Sequence, residues 1–452
     1  MRSPEGAWRW ILAKEWRALV ASRAWWVLLL AMGPLVGMSF IAAVRTYAEL
    51  SGMNGTAVGV GEAFSPLIGV WAPTFSACEI AAAFMLPFVA IRIVAGDRRS
   101  GALKLELQHS MSSMARMTAK AVVLLAGWTI ALLPPVVAIM MWRSYGGSNY
   151  PPELLAVATG HMLNGALTIA LAAAAAAVSE HPSTAAILTL TVTVGTWVIS
   201  FIAAVQGGIW ERLASYTPTS MVAEFQHGLV RLDVMLVAAT LTVLGLTLAA
   251  IWTRLGIAVD RRIYESTAAG ALAAAVMFAS AFATASWDAS ENRANSFSRA
   301  DEAALRQIHE PLRIEAHLAA EDPRRVDLER RALSKLRRVM PRLQVQYIAA
   351  TTTGLFEQTA SQYGEIWYEL GGRRAMSRAT TGESVLETIF ALAGAVPPAE
   401  IDRDVFRGHP LAVPPRGAAA VFYGVWPALV VAGGLLTRPA SNGLLTRSGS
   451  ER

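Results

Sequence analysis

The chain has 452 residues, of which 54% are hydrophobic and only 16% are charged, and its mean hydropathy is +0.41. This composition excludes an ordinary soluble globular protein and predicts a polytopic α-helical membrane protein. The formal net charge of +6 does not predict a nucleic-acid partner, because lysines and arginines cluster at the ends of apolar runs, as they do beside membrane spans. The single cysteine, Cys78, excludes an intrachain disulfide and a cysteine-based metal site.

Residues 1-23 lead into the first apolar run. Their charges are spread over the whole stretch, which is not the pattern of a cleavable signal peptide. One set of residues recurs at helical spacing, so we predict an amphipathic helix on the cytoplasmic side. The set is Trp8, Ile11, Leu12, Glu15, Trp16 and Leu19. Two alternatives stay open, because such a helix either lies at the headgroups of the membrane lipid or packs against the protein as an ordinary helix.

Eight apolar runs have the length of about twenty residues that crosses a bilayer. Basic residues precede the first run, fill the loop after the second, and follow the sixth and the eighth. Because basic loops stay in the cytoplasm, we predict a multi-pass protein of the inner (plasma) membrane with a cytoplasmic N-terminus. The predicted spans are 24-44, 76-95, 121-142, 153-178, 185-206, 234-254, 267-286 and 417-436.

The stretch 96-120 is a charged interruption between two apolar runs, and its pattern predicts a helix at a membrane surface or under a partner. One face is apolar, and the remainder is basic. The apolar face consists of Leu103, Leu107, Met111, Met114 and Thr118. The basic residues are Arg98, Arg99, Lys104, Arg116 and Lys120.

The stretch between the fifth and sixth spans is too polar to cross a membrane and too apolar for a free loop. We predict two short helices on the outer face, the second of which starts at Pro218. Their predicted buried side consists of Leu213, Tyr216, Pro218, Met221, Phe225 and Leu229.

Residues 287-416 have the composition of a soluble domain, and their position between spans seven and eight predicts an extracytoplasmic location. Leu312 to Leu318 alternate as a strand, and Pro323 opens a helix that continues to about Val339. Two more alternating stretches follow, and then a helix from Gly382 that ends before Gly394. The order strand, helix, strand, strand, helix predicts a small α/β domain.

The order of parts over residues 1-260 resembles the permease of an ABC-2 type transporter, which has six spans, a cytoplasmic segment after the second and paired outer helices after the fifth. Two segments are similar to segments of that family. The first consists of Asp97, Arg98, Arg99, Ser100, Gly101, Ala102 and Leu103, followed by Ser110, Arg116 and Lys120. The second consists of Tyr216, Thr217, Pro218, Phe225, Gly228, Leu229 and Asp233.

The remainder, about 261-436, resembles the auxiliary unit of gliding-motility-type ABC systems, in which two spans enclose an outer α/β domain. The similar residues are Asn295, Ser296, Phe297 and Ser298, the strand at 312-318, the arginine-rich helix, and Gly382, Glu383 and Ser384. This chain departs from the family after Pro398, because it reaches its last span within about twenty residues. The resemblance divides the chain into a lead-in (1-23), a permease domain (24-260), a seventh span (261-286), an outer domain (287-416), an eighth span (417-436) and a tail (437-452).

These resemblances imply a permease subunit that forms a homodimer and pairs with a separate ABC ATPase subunit. The sequence agrees, because it lacks the GxxxxGK[ST] loop that an ATPase needs to hold phosphates. We therefore predict a transporter subunit rather than an enzyme, with no catalytic residue, no metal and no bound cofactor, and with ATP acting through the partner. The ATPase-coupling residues implied by the resemblance are Asp97, Arg98, Arg99, Gly101, Leu103, Lys104, Leu107, Met111 and Arg116.

Three polar residues inside predicted spans are candidates for a translocation path. Glu79 lies near the outer end of predicted span two, and a charge within a span tends to face a cavity or a partner. His161 and Asn164 share one face of span four. The alternatives are an interfacial carboxylate for Glu79 and a helix-to-helix hydrogen bond for the other two.

Two functions remain open at this point. The first is an ATP-driven exporter of an unknown amphipathic substrate. The second is a non-transporting scaffold or mechanotransmission subunit whose outer domain binds a partner at the cell surface. A secondary transporter is disfavoured, because the sequence has no evident inverted repeat or pair of broken helices.

Overall fold

A computed structural model of the chain describes residues 4–53, 64–99, 111–206, 209–319, 322–348, 362–398 and 406–437. Within these ranges, eight helices are long and apolar enough to cross a membrane, which is the number predicted. The fold is that of a polytopic helical membrane protein with a small β-sheet domain. Spans one to eight are Arg23–Gly52, Leu67–Asp97, Ser113–Ser144, Pro151–Val178, Pro182–Ala203, Leu232–Trp252, Val259–Ser280 and Ala418–Leu436.

Several of these spans are built from more than one helical segment. A lead-in helix, Pro4–Val20, precedes span one, whose helix continues to Met53. Span three is interrupted at Leu132, because Pro134 and Pro135 cannot donate to the carbonyl groups of the preceding turn. The segments of span two are Leu67–Trp71, Ala72–Phe84 and Leu86–Arg99. Those of span three are Ser113–Ala131 and Leu133–Ser144, and those of span eight are Ala418–Ala420, Val421–Val425 and Trp426–Leu436.

Span four is the central helix of the bundle and packs against spans two, three, five and six. Its alanine-rich half is buried, since small side chains let neighbouring helices approach closely. The approach to span six is so close that a Cβ atom on Gly245 would lie 2.9 Å from the backbone of Ala170. Two short helices, Ile209–Ala214 and Pro218–Gln226, connect spans five and six.

Spans seven and eight flank the bundle, with span seven against span six and span eight against span one. Trp426 of span eight donates its indole N–H to the carbonyl oxygen of Leu29 at 2.7 Å. Gly33 and Gly37 form a groove on span one, because a Cβ atom on either would overlap the ring of Trp426 or of Phe422.

The segment between spans seven and eight contains the predicted small α/β domain, which we call the sheet domain. Its four strands are β3 Leu312–Ala316, β4 Leu343–Tyr347, β5 Ile366–Leu370 and β6 Arg373–Ser377. They lie in the order β4-β3-β5-β6, with β3 parallel to β4 and the other neighbours antiparallel. The helices are Arg299–Arg306, the run Pro323–Leu328, Glu329–Leu333 and Ser334–Val339, and Gly382–Ala393.

One face of this sheet forms the core of the sheet domain. Leu312 and Ile314 of β3 and Tyr368 of β5 are fully buried under the helices, in the same cluster as Ile389 and Phe390. The side chains between them, such as Trp367, face the opposite side. The period-two alternation that predicted the strands is thus the alternation between core and surface.

The sheet domain is fastened to the bundle at both of its ends. Strand β1 (Leu229–Arg231) before span six pairs antiparallel with β2 (Ser286–Asp288) after span seven. At the other end, the segment before span eight is held by the Tyr47 hydroxyl, 2.7 Å from the carbonyl oxygen of His409, and by the Leu411 N–H, which donates to Ser51 Oγ at 3.0 Å. We call this end of the bundle the sheet-domain side.

Three predictions from the sequence are wrong in detail. A continuous helix over 96-120 is excluded, because Met111 and Ser112 are not helical. Ser112 has an extended backbone, and its hydroxyl accepts from the Ala115 N–H at 3.1 Å as the N-cap of span three. Leu213 and Tyr216 are exposed rather than buried. Span seven ends at Ser280 rather than 286, because the residues after it form β2.

Candidate functional sites in the helix bundle

Four charged side chains meet at the end of the bundle that lies opposite the sheet domain. Lys120 of span three contacts Glu15 of the lead-in helix at 2.7 Å and also contacts Asp97 at the end of span two. Lys14 contacts the same two carboxylates, each at 2.9 Å. Two positive and two negative charges alternate, so this ion cluster can balance its own charge.

Burial makes the ion cluster a strong constraint on three helices. The side chains of Glu15 and Lys120 are only 2% and 4% exposed. Charges in such surroundings are stable only when they are paired, and removal of one partner leaves another uncompensated. The ion cluster therefore fixes the lead-in helix, the end of span two and the start of span three relative to one another.

The lead-in helix packs one of its sides against the bundle, and its position relative to the lipid headgroups stays a prediction. Ile11 is 2% exposed, and Leu19 is fully buried beside span three. Trp10 and Trp16 lie on its exposed side, at 42% and 38% exposure.

The predicted coupling residues fall into three groups. Asp97 is part of the ion cluster. Arg116 is 2% exposed, and its guanidinium donates to the Met111 carbonyl oxygen and to Ser113 Oγ, both at 3.0 Å, so it stabilises the start of span three. Met111 is half-buried just before span three and takes part through its backbone carbonyl, the acceptor of this Arg116 hydrogen bond. The other six lie outside the described residues or, for the first two, have side chains outside them. These are Arg98, Arg99, Gly101, Leu103, Lys104 and Leu107.

A second polar cluster lies between spans two and four. The side-chain amide of Gln226, in the short helix that starts at Pro218, donates to Glu79 Oε1 at 2.6 Å. The same Nε2 atom lies 3.3 Å from Nε2 of His161, which is fully buried. Glu79 and Asn164 also line one common cavity. The structure thus brings together the three residues that the sequence singled out as a translocation path, and adds Gln226.

Glu79 lies deeper along its span than the sequence indicated. The apolar helix begins at Leu67 instead of residue 76, because the π-helical segment Leu67–Trp71 extends it. Twelve residues then separate Leu67 from Glu79, a rise of roughly 18 Å along the helix axis. The carboxylate is therefore well inside the helical stretch rather than near its end.

The joint between the bundle and the sheet domain carries a third group of charges. Arg231 of β1 contacts Glu224 at 2.8 Å and Asp233 at 2.5 Å. Burial raises the pKa of the Glu224 carboxyl, and burial lowers the pKa of the His227 imidazole next to this joint. Asn295 of the sheet-domain segment donates to the carbonyl oxygen of His227 at 2.7 Å, so the histidine sits where the two parts meet.

Sequence reasoning missed Lys14, Glu15 and Gln226 as members of these clusters. Lys14 and Glu15 had a usable signal, because two adjacent opposite charges interrupt the buried face of the lead-in helix. Gln226 had none, because it follows the apolar Phe225 in a short helix and resembles an ordinary surface residue. In the described ranges, no group of three or more His, Cys, Asp or Glu side chains is arranged to hold a metal ion.

The fold and these clusters define the class of the protein as a polytopic helical membrane protein with charged side chains paired within its helix bundle. Comparison with protein-family models, curated proteins and solved structures finds no match to this chain.

Proposed function

We propose that the chain is the transmembrane subunit of an ATP-driven ABC-2 type exporter. In this proposal a separate ATPase subunit hydrolyses ATP, two copies of the chain form the membrane part, and an amphipathic substrate moves outward. The ion cluster lies on the cytoplasmic side of the inner membrane, and the sheet domain lies outside.

The observation that carries the proposal is the ion cluster. Residues 98–110, which follow it in the sequence, form the connection between spans two and three and contain the basic residues expected to meet an ATPase. Asp97 and Lys120 stand on either side of this connection, and both contact Glu15 of the lead-in helix or its neighbour Lys14. A force applied to the connection would therefore move three helices together.

Both spans that leave the ion cluster lead to the second polar cluster. Span two carries Glu79 directly. Span three carries Trp128, whose indole N–H donates to the carbonyl oxygen of His161 at 3.1 Å. A displacement at the cytoplasmic end would therefore be passed along spans two and three to Glu79 and His161, as energy coupling between distant sites requires.

The first test is purification of the chain from its native host in mild detergent, with mass spectrometry of the proteins that co-elute. We expect an ATPase subunit in stoichiometric amount. A preparation that retains its membrane fold and contains no ATPase would overturn the proposal.

The second test is charge reversal in the connection, with the variant R98E/R99E/K104E. We expect the complex to lose transport in proteoliposomes, because a basic surface that meets the ATPase becomes acidic. The matched control is R299E/R306E/R331E, which reverses three exposed arginines of the sheet domain. Isolated surface ion pairs contribute little to stability, so the control should transport normally. Normal transport and normal ATPase association in the first variant would refute the coupling role.

A second candidate function is supported by the two-ended attachment of the sheet domain. Because β2 and the segment at His409 both hold this domain to the bundle, motion of the spans would be passed to it. A mechanotransmission subunit would use this to act on a cell-surface partner without moving a substrate. ATP hydrolysis that tilts the sheet domain in proteoliposomes, measured by distances between spin labels, without any transported molecule, would favour this function over export.

A further inference from the structure

A small cavity lies beside Glu79, enclosed by spans two, four and five and the helix Pro218–Gln226. Its volume is about 40 Å³, which is enough for a small polar group but not for a whole amphipathic molecule. The wall contains both polar and apolar side chains. The lining residues used below are Glu79, Asn164, Thr168, Leu167, Leu171 and Trp197.

Three polar groups in this wall have hydrogen-bonding capacity to spare. Glu79 accepts from Gln226 through Oε1, and among the described residues nothing donates to its Oε2. Asn164 and Thr168 are 8% and 4% exposed, and within the same part of the chain their side chains make no hydrogen bond. They are four residues apart on span four, so both stand on the face that lines the cavity.

The other hydroxyl groups of the wall are already used. Thr193 donates to the carbonyl oxygen of Ala83 at 3.3 Å, and Thr196 lies 3.0 Å from the hydroxyl of Thr219. Buried polar groups in proteins are normally paired, so the unpaired amide and hydroxyl next to a carboxylate point to a ligand.

The charge and shape of the wall select the kind of ligand. Among the lining residues that the structure describes, Glu79 alone carries a charge, so the wall attracts cations and repels anions. Glu79 Oε2, the Asn164 amide oxygen and the Thr168 hydroxyl supply three acceptors, which matches the three N–H donors of a primary ammonium group. Leu167, Leu171 and Trp197 supply an apolar wall for the carbon atoms next to it.

We propose that this cavity binds the protonated amine of an amphipathic cation, while the apolar tail of that molecule remains among the lipid chains. This rests on the proposed export function and names the substrate class for it, namely amphiphiles with an amine head.

The test is equilibrium binding of radiolabelled dodecylamine to the purified chain in lipid nanodiscs at pH 7.5, with empty nanodiscs to subtract partition into lipid. We expect saturable binding to the wild type. In E79Q the affinity should fall at least about tenfold, because a charge-assisted hydrogen bond is lost. In T168V, which keeps the side-chain shape, it should fall about threefold or more. E180Q is the matched control and should bind as the wild type does, because Glu180 is an exposed carboxylate in the turn between spans four and five.

Several results would overturn the assignment. The first is the absence of saturable binding to the wild type. The second is an affinity in E79Q and T168V equal to that of the wild type. The third is saturable binding of dodecanol or dodecanoate as tight as that of dodecylamine. Equal affinity for methylamine or displacement by sodium ions alone would assign the cavity to a small cation and also overturn it. This binding assay contains no ATPase and is independent of the co-purification experiment. If dodecylamine does not bind but an ATPase subunit co-purifies with the chain, only the substrate class is removed. If dodecylamine binds but no ATPase subunit co-purifies, the export function is removed instead.

Discussion

Lys120 is the residue on which the ion cluster depends, because its ammonium group contacts both Glu15 and Asp97 from a nearly buried position. In K120M, Lys14 alone faces the two carboxylates. We expect the free energy of unfolding to fall by about 3 kcal/mol, the cost of leaving a buried charge unpaired. The measurement is unfolding of the purified protein in mixed micelles by titration with sodium dodecyl sulfate.

A double variant gives the control for this prediction. D97N/K120M removes one of the two carboxylates that share Lys14, so the remaining charges balance again and part of the lost free energy of unfolding should return. If the double variant loses as much free energy of unfolding as D97N and K120M lose together, the two side chains do not interact. In that case the ion cluster does not fix the helices.

Gln226 supports the second polar cluster in a different way, as a neutral donor to Glu79 and a neighbour of His161. Q226L keeps the volume but removes the amide. We expect a loss of about 1 to 3 kcal/mol in the free energy of unfolding, because Glu79 Oε1 loses its hydrogen bond. A matched change at an exposed amide, Q307L in the sheet domain, should leave the free energy of unfolding nearly unchanged. A change in Q226L as small as that in Q307L would mean that the Gln226 amide does not stabilise the second polar cluster.

At the scale of single residues, the sequence identified types of chemistry but not partners. Glu79, His161 and Asn164 could be selected because a polar residue within an apolar run is rare. Their meeting with Gln226 could not be predicted, since 147 residues separate Gln226 from Glu79 along the chain. The pairing of Glu15 with Lys120 across 105 residues is unpredictable for the same reason.

Among the helices, the groove of span one allows a direct test of packing. In G37I a branched side chain would overlap Phe422 of span eight. Overpacking of this kind costs about 1 to 3 kcal/mol, and here it should also push span eight outward. We expect a cysteine pair placed at Gly33 and Trp426 to cross-link with a short reagent in the parent protein and to cross-link poorly once G37I is added.

The control for that prediction is G270I in span seven, where a Cβ atom would meet nothing within 4 Å. This variant should keep the cross-link and the stability of the parent. Equal cross-linking in G37I would show that span eight does not depend on the groove.

The number of membrane-crossing helices was predictable, whereas several of their ends were not. An apolar run of bilayer length is a strong signal that does not depend on neighbours. The ends depend on local details, such as the Ser112 hydroxyl that starts span three and the π-helical segment that starts span two at Leu67. The strands of the sheet domain were predictable because alternation marks a half-buried strand, but the pairing of β1 with β2 joins residues too far apart to infer.

At the scale of the whole molecule, the joint at His227 should make the attachment of the sheet domain depend on pH. Burial lowers the pKa of this imidazole below its ordinary value of 6.5, and Arg330 of the sheet domain lowers it further. At pH values above 6.5 the side chain is neutral in both the folded and the unfolded state. As the pH falls below 6.5, the unfolded chain binds a proton that the folded chain resists, so stability is lost until the folded pKa is passed.

The variant H227N tests this dependence. Asparagine can still donate to the carbonyl oxygen of Ala223, which the imidazole Nδ1 contacts at 2.6 Å, but it cannot be protonated. We expect the free energy of unfolding to fall less between pH 7.5 and 5.5 in H227N than in the wild type. An identical pH dependence in the two proteins would show that His227 does not contribute to it.

The packing of span eight into the groove of span one also has a consequence for biosynthesis. Span one is inserted first, yet the indole of Trp426 that meets it at Leu29 is synthesised 397 residues later. Contacts between such distant parts of a chain form late, after the intervening segments have folded. Until then the groove at Gly33 and Gly37 is open to the lipid. The last step of assembly therefore replaces lipid chains in this groove with the side chains of span eight. Closure of the membrane domain therefore waits until the whole sheet domain, which lies between spans seven and eight, has been synthesised.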